Sequence, residues 1–179
     1  MSEIFELAFI SGLIGAMMRM ATPIIFATLG EILSERAGVL NLGIEGIMLM
    51  GAMTGFLVTF STGSIWLGVL AAAGVGMLLA LLMAFLAVYL GLSQHVSGLG
   101  ITLFATGLAM FVYRLYFGSP TVPPIVEPFQ QIALPLLSKI PVIGPGLFTQ
   151  YSLTYIAWIL IPLMSILLYK TKVGLKIRT

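Results

Sequence analysis

Cysteine is absent from all 179 residues, which excludes a disulfide framework, a thiolate zinc site and a thiol nucleophile. Charge is nearly as scarce. Eight Lys and Arg with six Asp and Glu make up 8% of the chain, where a soluble domain carries about 25%. So few charged side chains cannot keep the surface of a soluble globule of this size wet. There is one histidine, His95, so no metal-ligand spacing exists, and no serine–histidine–acid set can be placed together. Catalysis by this chain is not expected, and no catalytic residue, metal or cofactor is assigned. The net charge of +2 is too small to imply a nucleic-acid partner. A positive flank is missing from the start as well. Met1 to Glu6 is acidic and apolar sequence continues far beyond it, unlike a secretory signal.

Apolar residues, by contrast, are 60% of the chain and mean hydropathy is +1.15. Lipid is therefore the solvent for much of the surface. Between Glu45 and Arg114 stand 68 residues without formal charge. One transmembrane helix needs about 20 apolar residues, so there is room for three. The stretch is broken at Ser61-Thr62-Gly63-Ser64 and at Gly91 to Gly98, both small, polar and glycine-rich as turns are. With one helix before and one after, the expected spans are residues 7–33, 44–61, 65–90, 98–117 and 151–169. The fold class is an all-α membrane protein, a bundle of about five transmembrane helices forming a single transmembrane domain over residues 1–179.

Lys170, Lys172, Lys176 and Arg178 follow the last span directly, which places the C-terminus inside by the positive-inside rule. Five spans then put the N-terminus outside. Residues 118–150 become an extracytoplasmic loop, which holds seven of the nine prolines and Lys139. Proline fixes φ and donates no backbone hydrogen bond, so no continuous helix is expected there. The loop is nevertheless apolar around 132–137 and 140–148, and is expected to lie along the membrane interface and pack on helix ends. Gly51 and Gly55, four apart, put two glycines on one helical face where another backbone can approach.

Charge inside a membrane is costly and marks candidate sites. It gathers between Gly30 and Gly46. Glu31 and Glu35 share a helical face by their spacing, as do Asn41 and Glu45, and Arg36 stands between the pairs with a fork that suits carboxylates. Gly38, Gly43 and Gly46 let the backbone turn or approach a neighbour. Two readings stay open. One is a broken helix whose ends line a substrate pathway, with Glu31, Glu35, Arg36, Asn41 and Glu45 as lining candidates. The other is a cytoplasmic loop between spans one and two with a solvated salt bridge. Arg19 lies deeper in apolar sequence. It either meets a carboxylate inside the bundle or snorkels to lipid phosphate; Pro23, which suits the early part of a helix, favours the second. His95 is expected in a turn and is given no role.

The run Ser34-Glu35-Arg36-Ala37-Gly38-Val39-Leu40-Asn41-Leu42-Gly43-Ile44-Glu45-Gly46-Ile47-Met48-Leu49-Met50-Gly51-Ala52 closely resembles the permease family of ABC importers for simple sugars, nucleosides and branched-chain amino acids. The nucleoside and simple-sugar branch is nearest. Arg19-Met20-Ala21-Thr22-Pro23, Val96 to Leu108 and Thr171 to Arg178 are similar to that family too. The resemblance implies a transport subunit of a bacterial cytoplasmic membrane. A second permease subunit, identical or paralogous, would complete the pathway, separate ABC ATPase subunits would drive it, and an extracytoplasmic substrate-binding protein would deliver a nucleoside or simple-sugar-like solute. Family members continue past the position of Thr179 through a segment that contacts the ATPase, so this sequence is expected to be a fragment or a truncated gene. A self-contained oligomeric channel and a non-transporting scaffold are the alternatives.

Overall fold

A computed structural model describes residues 2–135, 137–140 and 143–178. Met1, Leu136, Pro141, Val142 and Thr179 lie outside the described residues, as do the side chains of residues 2–6, Ala8, Lys139, Ile143 and Arg178. The sequence readings that used Lys139, Pro141 and Arg178 therefore rest on the sequence alone.

The order of elements is α1 (Ser2–Arg36), α2 (Ile44–Thr62), α3 (Ile65–Ala84) extended by a π-helical turn (Phe85–Tyr89), and α4 (Gln94–Phe117). Then come β1 (Gln131–Ala133), a 3₁₀ turn (Leu137–Lys139), α5 (Ile143–Phe148), β2 (Thr149–Tyr151), α6 (Ser152–Lys170) and α7 (Lys172–Arg178). Five of these helices are long and apolar enough to cross a membrane, as an all-α multi-pass chain requires. The chain divides into two compact units, one running up to Gly30 and resuming at Phe129, the other spanning Glu31–Pro128.

In the second unit α2 packs against both α3 and α4, and glycines set the distance. A Cβ on Gly46 would stand 2.6 Å from the Thr102 Cα, and one on Gly98 would stand 2.9 Å from the Leu42 Cβ and backbone nitrogen. Between α2 and α3, a Cβ on Gly68 would stand 2.7 Å from the Gly55 carbonyl oxygen and overlap the Thr59 hydroxyl. Apolar tails in a bilayer offer helices no hydrophobic drive to associate, so close backbone packing of small residues takes that role. The buried stripe of α4 is correspondingly small: Ser97, Ile101, Ala105 and Ala109, at the four-residue spacing of one helical face. Beyond Leu79, Met83 and Ile101, which are buried, many large side chains point outward. Met77 and Leu78 of α3 are each 66% exposed, the pattern of a protein whose solvent on that side is lipid.

The α2–α3 connection is short because Gly63, at φ 70°, ends α2 with its N–H on the Thr59 carbonyl, and Ser64 accepts the Leu67 N–H to begin α3. The next connection differs from expectation. α4 starts at Gln94, four residues before the expected span, so His95 lies in a helical turn and not in the loop. The Gln94 side chain is held by tertiary hydrogen bonds, described below, that local sequence does not reveal.

In the first unit α1 runs unbroken through Pro23, which corrects the expectation that this proline marks an early helical turn. An apolar helix in lipid has no water to satisfy a broken ladder, so the helix continues on both sides of a missing N–H. Beside it, the Thr22 hydroxyl donates to the Met18 carbonyl at 2.8 Å and lies 2.9 Å from the Thr154 hydroxyl of α6. Having given its only proton to Met18, Thr22 accepts from Thr154.

The proline-rich segment is not wholly irregular. Gln131–Ala133 and Thr149–Tyr151 form a two-stranded antiparallel ribbon, Ile132 opposite Gln150. The Tyr155 hydroxyl ties it to α6, donating to the Ile132 carbonyl at 2.8 Å and accepting the Gln150 N–H at 3.3 Å. The helix α5 inside it carries Gly146, whose absent Cβ would stand 3.0 Å from Ile14 and from the Ser11 carbonyl of α1. This part of the segment thus packs along the side of a candidate membrane span.

Candidate functional site

The charged cluster read from the sequence is a helix end, a seven-residue connection and a helix start. Glu31, Glu35 and Arg36 belong to the last turns of α1, Asn41 to the connection, and Glu45 to the first turn of α2. Gly38, at φ 82°, closes α1. Its N–H meets the Glu35 carbonyl at 3.0 Å and the Val39 N–H meets the Ser34 carbonyl at 2.9 Å. These are the two bonds of a Schellman motif, which needs a left-handed residue where glycine sits.

Glu31 and Asn41 are brought together: one carboxylate oxygen, Oε1, accepts the Asn41 N–H at 2.9 Å. Asn41 in turn accepts the Gly43 N–H with its side-chain oxygen at 3.0 Å. Two residues that the sequence reading did not single out complete the arrangement. Gln94 accepts the Leu40 N–H at 2.8 Å and donates to the Gly38 carbonyl at 3.1 Å. Thr102 donates to the Leu42 carbonyl at 3.1 Å. Irregular backbone near a membrane must find partners for its polar groups, and here α1 and α4 supply them. Local sequence gave no signal for Gln94, because it stands among the other polar residues Ser93, His95 and Ser97 of a glycine-rich break.

Charge remains at this cluster after the loop is secured. The second Glu31 oxygen, Oε2, is buried without a hydrogen-bond partner among the described residues. Glu35, Arg36 and Glu45 are exposed.

A second polar group, in the first unit, surrounds Arg19, the residue at the midpoint of α1. Its guanidinium carbon lies 6.0 Å from the centre of the Tyr151 ring, the outer limit of a cation–π contact. Around the point where a Cβ on Gly15 would stand gather Arg19 Nη1 at 3.2 Å, the Gly146 carbonyl oxygen at 3.5 Å and Gln150 Nε2 at 3.6 Å. Gln150 is fully buried. Its amide nitrogen donates to the Gly146 carbonyl at 2.5 Å, while its oxygen Oε1 has no partner among the described residues. The sequence reading left Arg19 between a carboxylate partner in the bundle and a lipid anchor, favouring the anchor, and passed over Gln150, because the ribbon that carries Gln150 to α1 has no signature in local composition.

Five apolar spans and glycine-set helix contacts define a multi-pass helical membrane protein. The chain belongs to the family of the branched-chain amino acid transport system / permease component, whose model matches residues 13–179. It is 40% identical over 175 residues to the Haloferax volcanii protein named "Putative glucose ABC transporter permease protein TsgC13", covering 96% of this chain and 52% of that one. It is 36% identical over 177 residues to a guanosine ABC transporter permease protein of Bacillus subtilis, covering 95% and 56%. A nucleoside ABC transporter permease protein of Lactococcus lactis is 34% identical over 174 residues, covering 93% and 55%. The chain thus spans about half the length of the curated relatives it matches. No solved structure matches it.

Proposed function

We propose that this chain is a permease subunit of an ATP-driven ABC importer and forms part of the membrane pathway for a nucleoside or simple-sugar-like solute. The observation that carries the reading is the similarity, over more than nine-tenths of the chain, to relatives named as permeases for glucose, guanosine and nucleoside. The five apolar helices agree with it. ATP hydrolysis then belongs to separate ATPase subunits, a second permease subunit completes the pathway, and an extracytoplasmic binding protein delivers the solute in a cell membrane. The basic residues after α6 support an inside C-terminus and an outside N-terminus.

Within this reading Glu35, Arg36 and Glu45 are the pathway candidates whose side chains are exposed. Glu31 and Asn41 hold the connection between α1 and α2 in shape while leaving one carboxylate oxygen of Glu31 unpartnered.

Native co-purification tests the proposal. The chain is tagged at its N-terminus in its own host, extracted in mild detergent and analysed for bound proteins. A P-loop ATPase and a second permease are expected. Recovery of the chain alone as a stable homo-oligomer, with solute flux that needs no ATP, would overturn the importer reading in favour of a channel.

A further inference from the structure

Four basic residues, Lys170, Lys172, Lys176 and Arg178, stand within nine positions at the end of the last apolar span, and no Asp or Glu follows Glu127 in the 179 residues. A positive end that merely stays on one side of a membrane needs only this composition, and a solvated tail would serve. The structure adds a fixed position. α6 ends at Lys170, α7 begins at Lys172, and Thr171 between them closes the joint. Its hydroxyl donates to the Leu167 carbonyl at 2.6 Å and accepts the Gly174 N–H at 3.1 Å, while its carbonyl accepts the Leu175 N–H at 3.1 Å.

Gly174 sets how close α7 lies to α6. It is buried, and a Cβ there would overlap the carbonyl oxygens of Leu167 and Leu168. Those carbonyls belong to the candidate membrane span Ser152–Lys170 itself. Backbone against backbone thus holds the middle of α7 beside the last turn of a span. The polar layer of a bilayer extends about 5–7 Å beyond each side of its hydrocarbon core, so Gly174 is held at that layer.

α7 presents two kinds of side chain there. Val173 and Leu175 are 59% and 56% exposed. Lys172 and Lys176, four apart on one helical face, are exposed as well, as is Lys170 at the end of α6. Water suits the lysines and leaves the two apolar side chains wet; a purely apolar surface suits the reverse. An anionic headgroup layer over acyl chains suits both, which is the combination an interfacial helix uses. Clusters of Lys and Arg directly after a span attract anionic lipid by charge.

We propose that the joint of α6 and α7 is a docking surface for anionic phospholipid, with Lys170, Lys172 and Lys176 on headgroup phosphates and Val173 and Leu175 at the acyl boundary. Neither the transported solute nor the direction of the chain in the membrane enters, because a disc made from one lipid mixture presents the same headgroups on both faces.

The chain has no cysteine, so a single one can be placed and labelled. Leu175→Cys in the full chain carries a bimane, and the protein is reconstituted in phosphatidylcholine discs holding a small fraction of acyl-spin-labelled lipid, either phosphatidylglycerol or phosphatidylcholine. Each cation near an anionic surface favours it by about fivefold before screening. Spin-labelled phosphatidylglycerol is therefore expected to quench at least about threefold more effectively at equal mole fraction. Lys172→Gln with Lys176→Gln should remove that advantage, and so should about 1 M salt, where the Debye length falls to about 3 Å. A label at Ser61→Cys, in the α2–α3 turn where no charged residue stands between Glu45 and Arg114, should show no preference. Val173→Cys, read in the same way, keeps the test decisive if the Leu175 variant does not reconstitute. Equal quenching by the two lipids overturns the anionic partner. No quenching by either places α7 off the bilayer and overturns the proposal in favour of a protein partner. An advantage that survives the double substitution overturns the assignment to these lysines. Relief of quenching by millimolar inorganic phosphate at constant ionic strength means a site for free anions and overturns the lipid assignment.

Discussion

The side-chain oxygen of Gln94 accepts the backbone N–H of Leu40 at 2.8 Å, across 54 residues of chain. The same amide donates to Gly38 two residues earlier, so one side chain reads both sides of the connection between α1 and α2. The loop that looks most site-like in the sequence is thus held from α4. The acidic residue at its α1 end, Glu31, is half spent on that task and half unpartnered.

Replacing Gln94 with Ala removes two hydrogen bonds and leaves the Leu40 N–H without its acceptor. At roughly 0.5–1.5 kcal/mol per bond, with more for an orphaned buried group, the expected loss is about 2 kcal/mol. Thermal unfolding in mild detergent reads it. Stability equal to wild type would show that the loop does not depend on Gln94.

Gly46→Ala places a methyl 2.6 Å from the Thr102 Cα and 3.0 Å from its carbonyl oxygen. Backbone cannot yield as a side chain can, so α2 and α4 must separate, at a cost of about 1–3 kcal/mol for overpacking. Gly74→Ala is the matched control. Nothing lies within 4 Å of its Cβ position, and helix propensity favours alanine by about 1 kcal/mol. The melting temperature should fall for the first and hold or rise for the second.

Thr22 and Thr154 join α1 to α6 through buried hydroxyls. A double-mutant cycle with Thr22→Val and Thr154→Val should return a coupling energy of about 0.6 kcal/mol, the average for interhelical hydrogen bonds in membranes. Strictly additive effects of the two substitutions would mean that the pair does not couple.

Glu31→Gln keeps an acceptor for the Asn41 N–H and removes the charge; Glu31→Leu removes both. The leucine variant should lose about 1–3 kcal/mol through the unpaired N–H, with little change for glutamine. If Glu31 serves the pathway by its charge, glutamine should also lose solute uptake at normal membrane abundance. Normal uptake by Glu31→Gln would confine the residue to holding the loop.

Much of the architecture was legible because lipid imposes it. The uncharged run from Glu45 to Arg114 leaves no other way to satisfy its backbone than helices, and Gly63 with Ser64 shows where one must end. Gly38 was legible as a turning point, since a left-handed residue after a helix favours glycine. His95 and Pro23 were misplaced for a shared reason. Helix continuity near each depends on partners or solvent that the local pattern does not contain, namely the loop bound by Gln94 in one case and the bilayer in the other. The ribbon of Gln131–Ala133 with Thr149–Tyr151 was hidden among prolines, because three-residue strands leave no periodicity to read.

The sequence alone determined that the chain is helical, multi-pass and in need of lipid, because hydropathy and charge act locally and without regard to partners. It also determined where charge could gather, since each ionisable group in an apolar run stands out by itself. Tertiary structure alone decided which of those groups are spent on structure and which are left over. Glu31 and Asn41 are turned onto the loop backbone, and Arg19 and Gln150, 131 residues apart in the chain, both come to Gly15 only because a short ribbon packs beside α1. Hydrogen bonds are directional and saturable, so their use depends on which atoms meet in space, and no one-dimensional pattern carries that.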